Sequence, residues 1–241
     1  MTLRPRITAI AASLIIALTG GAQAQCRLAL ILALDVSSSV DPGEYQLQKL
    51  GLATALNSVP IRDALINGPG GYVSLAVFEW SGRYQQQLLL DWTRMDAAKA
   101  IDGVVARIAG AERSYSRFPT AIGYALGYAA GLFRRGPDCK RRVIDVSGDG
   151  VNNEGFEPKL AFRNFPLQGV VVNGLVILGQ DKGVLPYYRR EVRHGPGAFV
   201  EQARGFEDFA DAMTRKLFRE LNDVVVGGEP GSPIAAGQDA G

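Results

Sequence analysis

The apolar run Leu28-Ala29-Leu30-Ile31-Leu32-Ala33-Leu34 has no polar interruption and ends at Asp35-Val36-Ser37-Ser38-Ser39. A run of that length, closed by a polar loop and followed by a helical pattern, predicts a buried strand feeding a helix. Asp41, Pro42 and Glu44 fit the N-cap, N1 and N3 positions of that helix. Tyr45, Leu47, Leu50, Leu52, Ala53 and Leu56 carry it to about Ser58. After the break at Gly68-Pro69-Gly70-Gly71, residues 72–78 and 87–92 read as strands joined at Ser81-Gly82-Arg83, an antiparallel hairpin at one edge. Helical spacing returns over 95–108 and again over 120–133. There Gly123, Gly127 and Gly131 recur every fourth residue and predict close packing against the sheet. A strand over 142–147, a short helix over 158–165, strands over 170–178 and 198–202, and an amphipathic helix over 206–221 complete the pattern.

Strands alternating with helices predict a doubly wound, mostly parallel α/β sheet with helices on both faces. The expected strand order is 3-2-1-4-5-6, with one antiparallel edge strand. Strands one and four are then neighbours, and a crevice opens at their carboxyl ends. Asp35 and Asp149 stand at those two ends.

Composition adds compartment. Arg4 and Arg6, the apolar run Ile7 to Leu18, and Ala22-Gln23-Ala24 have the layout of a secretory signal peptide, so residues 1–24 are expected to be removed after Ala24. The apolar run is too short to span a bilayer, and no later segment is long enough. Gln23 stands where a lipoprotein signal would place leucine. The expected product is periplasmic or secreted: one domain over 25–222 and a disordered tail over 223–241, rich in Gly, Pro and small residues. Losing Arg4 and Arg6 takes the formal charge from +2 to 0. The short clusters Arg134-Arg135, Lys140-Arg141-Arg142 and Arg189-Arg190 carry no nucleic-acid motif and read as solvated surface. Cys26 and Cys139 are the two cysteines; they lie nine residues before Asp35 and ten before Asp149. Parallel neighbouring strands would bring the cysteines together at one end and the aspartates at the other, so a Cys26–Cys139 disulfide is expected.

The candidate chemistry is an oxygen-only cluster. Asp35 with hydroxyls at alternate positions Ser37 and Ser39 suits a hard cation such as Mg²⁺, Mn²⁺ or Ca²⁺. The helix start already has its cap in Asp41, which leaves the serines without a structural task.

Asp35-x-Ser37-x-Ser39, Thr120 after Phe118-Pro119, and Asp149-Gly150 after a strand together resemble the von Willebrand factor A domain and its metal-ion-dependent adhesion site. Residues 78–82 and 143–150 are similar to a secreted proteobacterial subgroup with no assigned function. The resemblance implies that Ser37, Ser39 and Thr120 ligate one divalent cation, most simply Mg²⁺, while Asp35 and Asp149 act mostly through waters. It also implies an open position for a carboxylate from a protein partner, hence a binding module and not an enzyme. One departure stands out: Gly148 precedes Asp149 where threonine is common.

Other readings of the same residues are weaker. Asp145-x-Ser147-x-Asp149-Gly150 begins like a calcium loop, but its twelfth position is Phe156 where a bidentate Glu is needed. Asp145 reads instead as a hydrogen-bonded strand residue, and Asn152, Asn153 and Glu154 as turn formers or a rim. The alternative from another class is a metal-assisted hydrolase. Ser37 occupies the position where a phosphatase-type Asp35 would want a second carboxylate. His194, the one histidine, lies in a Gly-Pro-Gly loop and is no evident base. A two-lobed small-molecule receptor would need a longer chain.

Overall fold

The computed structural model describes residues 25–179 and 181–222, so the expected leader and tail lie outside the described residues. Strand β1, Cys26–Asp35, is buried along its whole length. It belongs to one six-stranded sheet with β2 (Tyr72–Trp80), β3 (Gln86–Arg94), β4 (Arg141–Gly148), β5 (Val170–Ile177) and β6 (Val200–Ala203), in the order β3-β2-β1-β4-β5-β6. All neighbours are parallel except the β2–β3 hairpin. This is the α/β topology that the apolar pattern predicts.

Helices α1 (Pro42–Asn57), α2 (Val59–Asn67), α3 (Ala98–Ala109), α4 (Ile122–Arg134), α5 (Pro158–Asn164), α6 (Val184–Tyr187) and α7 (Phe209–Asn222) cover the two faces. Leu28, Leu30, Leu32 and Leu34 point into a core shared with α1, α2, α3 and α7; Ile31 and Ala33 point into the other, with α4 and α5. Because both faces of β1 are apolar, the period of its side chains does not by itself reject a one-residue slip. The ends of the strand fix the register. Leu28 pairs with Arg141 and Leu34 with Ser147, so Cys26 meets Cys139 in a disulfide with Cα atoms 4.6 Å apart. At the opposite end the same register sets Asp35 beside the Gly148-Asp149 turn.

Several local expectations need correction. The helix expected to stop near Ser58 is followed at once by α2, because Ser58 turns the chain and Pro60 is compatible with a first helical turn. Leu47 and Leu50 are exposed, while Gln48 and Lys49 are buried between them. Gln48 turns inward to donate to the Asp35 carbonyl (2.9 Å), and Lys49 donates to the Ala111 carbonyl (2.9 Å). The glycine face of α4 does not lie on the sheet. A side chain at Gly123 would strike Phe156, and one at Gly127 would strike Phe165. Helix α6, unanticipated, runs into a π-helical turn over Tyr188–Val192. Strand β6 begins two residues later than expected, since Phe199 donates its N–H to the Asn173 side chain (3.0 Å) before the ladder starts at Val200.

Asp145 is not a merely hydrogen-bonded strand residue. Lys216 of α7, fully buried, puts its ammonium 2.8 Å from Asp145 Oδ2 and 2.6 Å from Glu220 Oε1. Asn173 donates to the same Glu220 oxygen at 2.7 Å. The last helix is thereby tied to β4 and β5 through ions inside the core. Burial, offset by Lys216 and reinforced by Glu220, raises the Asp145 carboxyl above its ordinary range.

Candidate metal centre

The five candidate residues come from three segments converging above the carboxyl end of the sheet. Asp35 closes β1 with its side chain wholly buried. Its Oδ1 accepts from the Ser37 N–H at 2.7 Å, while Oδ2 has no hydrogen-bond partner. The Ser37 and Ser39 hydroxyls are 3.1 Å apart. Ser39 then donates across the β1–β4 gap to Asp149 Oδ1 at 2.7 Å. One chain of contacts therefore joins Asp35, Ser37, Ser39 and Asp149.

Thr120 reaches the same cavity from the loop before α4. The cavity is about 440 Å³ and is lined by Ser39, Thr120, Asp149 and Gly150 among others. Asn153 grips Thr120 from both sides: its side chain accepts the Thr120 N–H at 2.8 Å, and its own N–H donates to the Thr120 carbonyl at 2.9 Å. Glu154 donates to that carbonyl as well (3.1 Å). Turn formation and site support are thus one role here. Phe118, two residues upstream, accepts the Ser38 N–H at 2.8 Å and so couples the two loops.

Arg113 is a supporting residue that sequence reasoning missed. Its Nη2 donates to the carbonyls of Val36 (3.1 Å), Ser37 (3.0 Å) and Val40 (2.7 Å), drawing the serine loop around one guanidinium. Its neighbour Ser114 donates its N–H to Glu79 Oε2 at 2.9 Å, and the Tyr45 hydroxyl donates to Glu79 Oε1 at 2.7 Å. Glu79 is fully buried, so this network anchors the arginine loop to β2 and α1. No periodicity marks Arg113 in the chain; its role exists only once the loops meet.

Both aspartates of the cluster are harder to ionise than an ordinary carboxyl. Burial, and then the nearby Asp149, push Asp35 up to about 7 against the pull of Ser37 and Arg113. Asp149 is raised too, chiefly by burial and despite the Ser39 hydroxyl. Burial makes both carboxylates harder to ionise, and a positive charge placed between them would offset that cost. Among the described residues no three His, Cys, Asp or Glu side chains are placed to hold a metal. The side chains that converge here offer oxygen donors throughout, the kind a hard ion prefers. The unpartnered Asp35 Oδ2 is the buried polar atom that such an ion or its water would satisfy.

The Gly148 departure has a steric cause. A side chain there would come within 2.5 Å of the Tyr188 hydroxyl and 2.9 Å of Asp35 Oδ2. Tyr188, fully buried, is held well above its ordinary range by burial and by Asp35 and Asp149. The calcium-loop reading fails because Asp145 lies in β4 and faces Lys216. His194 bridges Val172 near the start of β5, the far end from Asp35, and stacks on Phe162 at 4.1 Å. A larger cavity, about 560 Å³, also sits at that far end among Arg27, Lys140, Arg141 and Arg142. It contains none of the candidate ligands, so size alone does not locate the chemistry.

A family model described as "Protein of unknown function (DUF1194)" matches residues 25–225. No curated protein matches the chain. Among solved structures, proximal thread matrix protein 1 from the mussel byssus superposes with a TM-score of 0.60 at 17% identity, over 83% of this chain and 49% of its own. The same mussel protein has a structure described as having a zinc-occupied MIDAS motif. A von Willebrand factor type A protein from Catenulispora acidiphila gives 0.58 at 16% identity, over 82% of this chain and 43% of its own. The pilus adhesin SpaC from Lactobacillus rhamnosus GG gives 0.55 at 14%, over 83% and 31%. The chain thus spans half or less of each of these structures. At such identities the likeness is one of fold, and the fold is that of a von Willebrand A domain.

Proposed function

We propose that this chain, which belongs to the DUF1194 family of proteins of unknown function, is an exported binding module that captures a protein partner through a divalent cation. The observation that carries the reading is the contact chain from Asp35, whose buried Oδ2 has no partner, through Ser37 and Ser39 to Asp149. Ser37, Ser39 and Thr120 would hold the ion by their hydroxyls, with Asp35 and Asp149 acting through water, and Mg²⁺ is the natural occupant. The bound ion supplies a Lewis-acidic position for an anionic oxygen. The protein fixes the hydroxyls through Arg113 and Asn153 and supplies two carboxylates as counter-charge. Glu44, Asp181 and Glu207 also line the cavity. A partner's carboxylate would meet repulsion there without the cation, so capture should be strictly metal-dependent. Adhesion and matrix proteins among the structural neighbours support a binding role.

Export rests on the leader over 1–24. Cleavage after Ala24 would start the mature chain one residue before β1. The Cys26–Cys139 disulfide is the kind of bond that persists in oxidising compartments. No helix among the described residues is long and apolar enough to cross a membrane.

Capture from an extract of the native extracytoplasmic compartment tests the function. Wild-type protein in Mg²⁺ is expected to retain a partner that EDTA releases, and Thr120→Ala to lose it even where some metal stays bound. Turnover of phosphoester, ester or peptide substrates that vanishes in Asp35→Ala, with no protein captured, would favour the hydrolase instead.

A pH dependence follows as well. Without a cation, the folded Asp35 titrates at about 7, above the unfolded value near 3.9. The folded state then binds the extra proton between those values. The stabilisation is full below the lower value and is lost as pH rises through the upper one. A cation replaces that proton, so Mg²⁺ should raise the melting temperature more at pH 8 than at pH 5. Thermal melts with and without Mg²⁺ at both values check this, and equal increments would contradict it. Asp145, also raised, faces Lys216 on the other core, and its contribution cancels in that difference.

A further inference from the structure

The π-helical turn over Tyr188–Val192 puts one phenol where the fold has no evident need of it. Tyr188 is fully buried, and its hydroxyl has no hydrogen-bond partner. Its neighbour Tyr187 shows the ordinary arrangement, donating to Glu157 Oε2 at 2.7 Å. Two strands give up side chains to admit the Tyr188 ring. A side chain at Gly174 of β5 would strike the ring at 2.7 Å, and one at Gly148 of β4 would strike the hydroxyl at 2.5 Å. The same point above Gly148 lies 2.9 Å from Asp35 Oδ2, a second buried oxygen without a partner. Phenylalanine would fill the same space with no polar atom to satisfy, so packing does not account for the hydroxyl. π-Turns inside helices are often found at functional sites, because the wider turn re-aims a side chain.

We propose that Tyr188 is a positioning residue of the metal centre: its hydroxyl donates to Asp35 Oδ2 through one ordered water and fixes the carboxylate that serves the cation. The inference rests on the metal-binding reading above. Ser37 N–H already holds Oδ1, so a donor on Oδ2 completes the orientation of the carboxylate from below. A phenol is protonated at neutral pH and can play that part. Outer partners of metal-serving carboxylates commonly matter by 10–100-fold in metal affinity. A single donor beneath Asp35 belongs at the lower end, about tenfold.

The test is Tyr188→Phe in the mature chain, with Mn²⁺ affinity measured by titration calorimetry beside the melting temperature of the metal-stripped protein. The expected result is affinity weakened measurably but by no more than about tenfold, with a metal-free melting temperature unchanged or higher. A near-ultraviolet tyrosine difference signal on adding Mn²⁺, present in wild type and lost in the variant, would report the same hydrogen bond independently. Wild-type affinity in Tyr188→Phe, with no tyrosine signal lost, overturns the proposal while leaving the metal centre intact. A wild-type protein that takes up no Mn²⁺ removes the premise and the proposal together.

Discussion

Replacing Lys216 by methionine is expected to lower the free energy of unfolding by about 3–5 kcal/mol, the usual cost of stranding one side of a buried ion pair. For a domain of this size that is a fall of roughly 10 °C in melting temperature. The reason lies in the charge count inside the core. One ammonium at 2.8 Å and 2.6 Å serves two carboxylates, Asp145 and Glu220, all three wholly buried. Methionine has similar bulk but leaves both acids without their buried counter-ion, which favours the protonated form of Asp145. Asp145 already titrates above its ordinary range, and losing Lys216 raises it further. Protonation is easier in acid, so the deficit should shrink at pH 5 and grow at pH 8. Denaturant unfolding at both values measures it. A loss under 1 kcal/mol at pH 8 would mean that Lys216 does not hold α7 to β4.

Removing the disulfide is the second large effect. Cys26 and Cys139 are 113 residues apart in sequence, so the bond closes a long loop in the unfolded chain. The chain-entropy argument assigns such a loop about 4.7 kcal/mol, an upper value because measured bridges often give less. The double substitution Cys26→Ala and Cys139→Ala is expected to stay folded and lose about 3–5 kcal/mol in denaturant unfolding. An unchanged midpoint would show the bond to be inconsequential. Two free thiols in exported wild-type protein, detected by mass after alkylation, would contradict the pairing itself.

Both effects bear on what the chain discloses before folding. The cysteines were legible because they stand at matching distances from two aspartates on adjacent parallel strands, so the register carried through from end to end. The strand order was legible for a similar reason: β1 is apolar without interruption, as a strand covered on both faces must be. The ionic core was not. Asp145 and Lys216 are 71 residues apart on a strand and a helix, and neither position breaks its local pattern conspicuously. Lys216 occupies a place on α7 where an apolar residue would read equally well, so the pairing exists only in three dimensions.

The candidate site divides in the same way. Asp35, Ser37, Ser39, Thr120 and Asp149 announce themselves by spacing and by their place after strands or before a helix. The residues that hold them do not. Arg113 and Asn153 lie in polar loops and act through backbone groups far away in sequence. Gln48 sits in a helix where the period favoured its exposed neighbours Leu47 and Leu50. Tyr188 follows Pro186-Tyr187 in a stretch without a helical period, and its direction depends on a π-turn that composition does not signal. The candidate ligands repeat a recognisable motif, whereas the side chains that brace them answer to whatever backbone happens to pass nearby.

The central claim is that these five residues make one divalent-cation site, and titration calorimetry of Mg²⁺ into the metal-stripped mature chain tests it most directly. Wild-type protein is expected to take up one cation per chain, with binding lost in both Ser37→Ala and Asp149→Ala while each variant stays folded. Uptake with wild-type affinity in both variants, or no uptake by the wild type, would contradict the account.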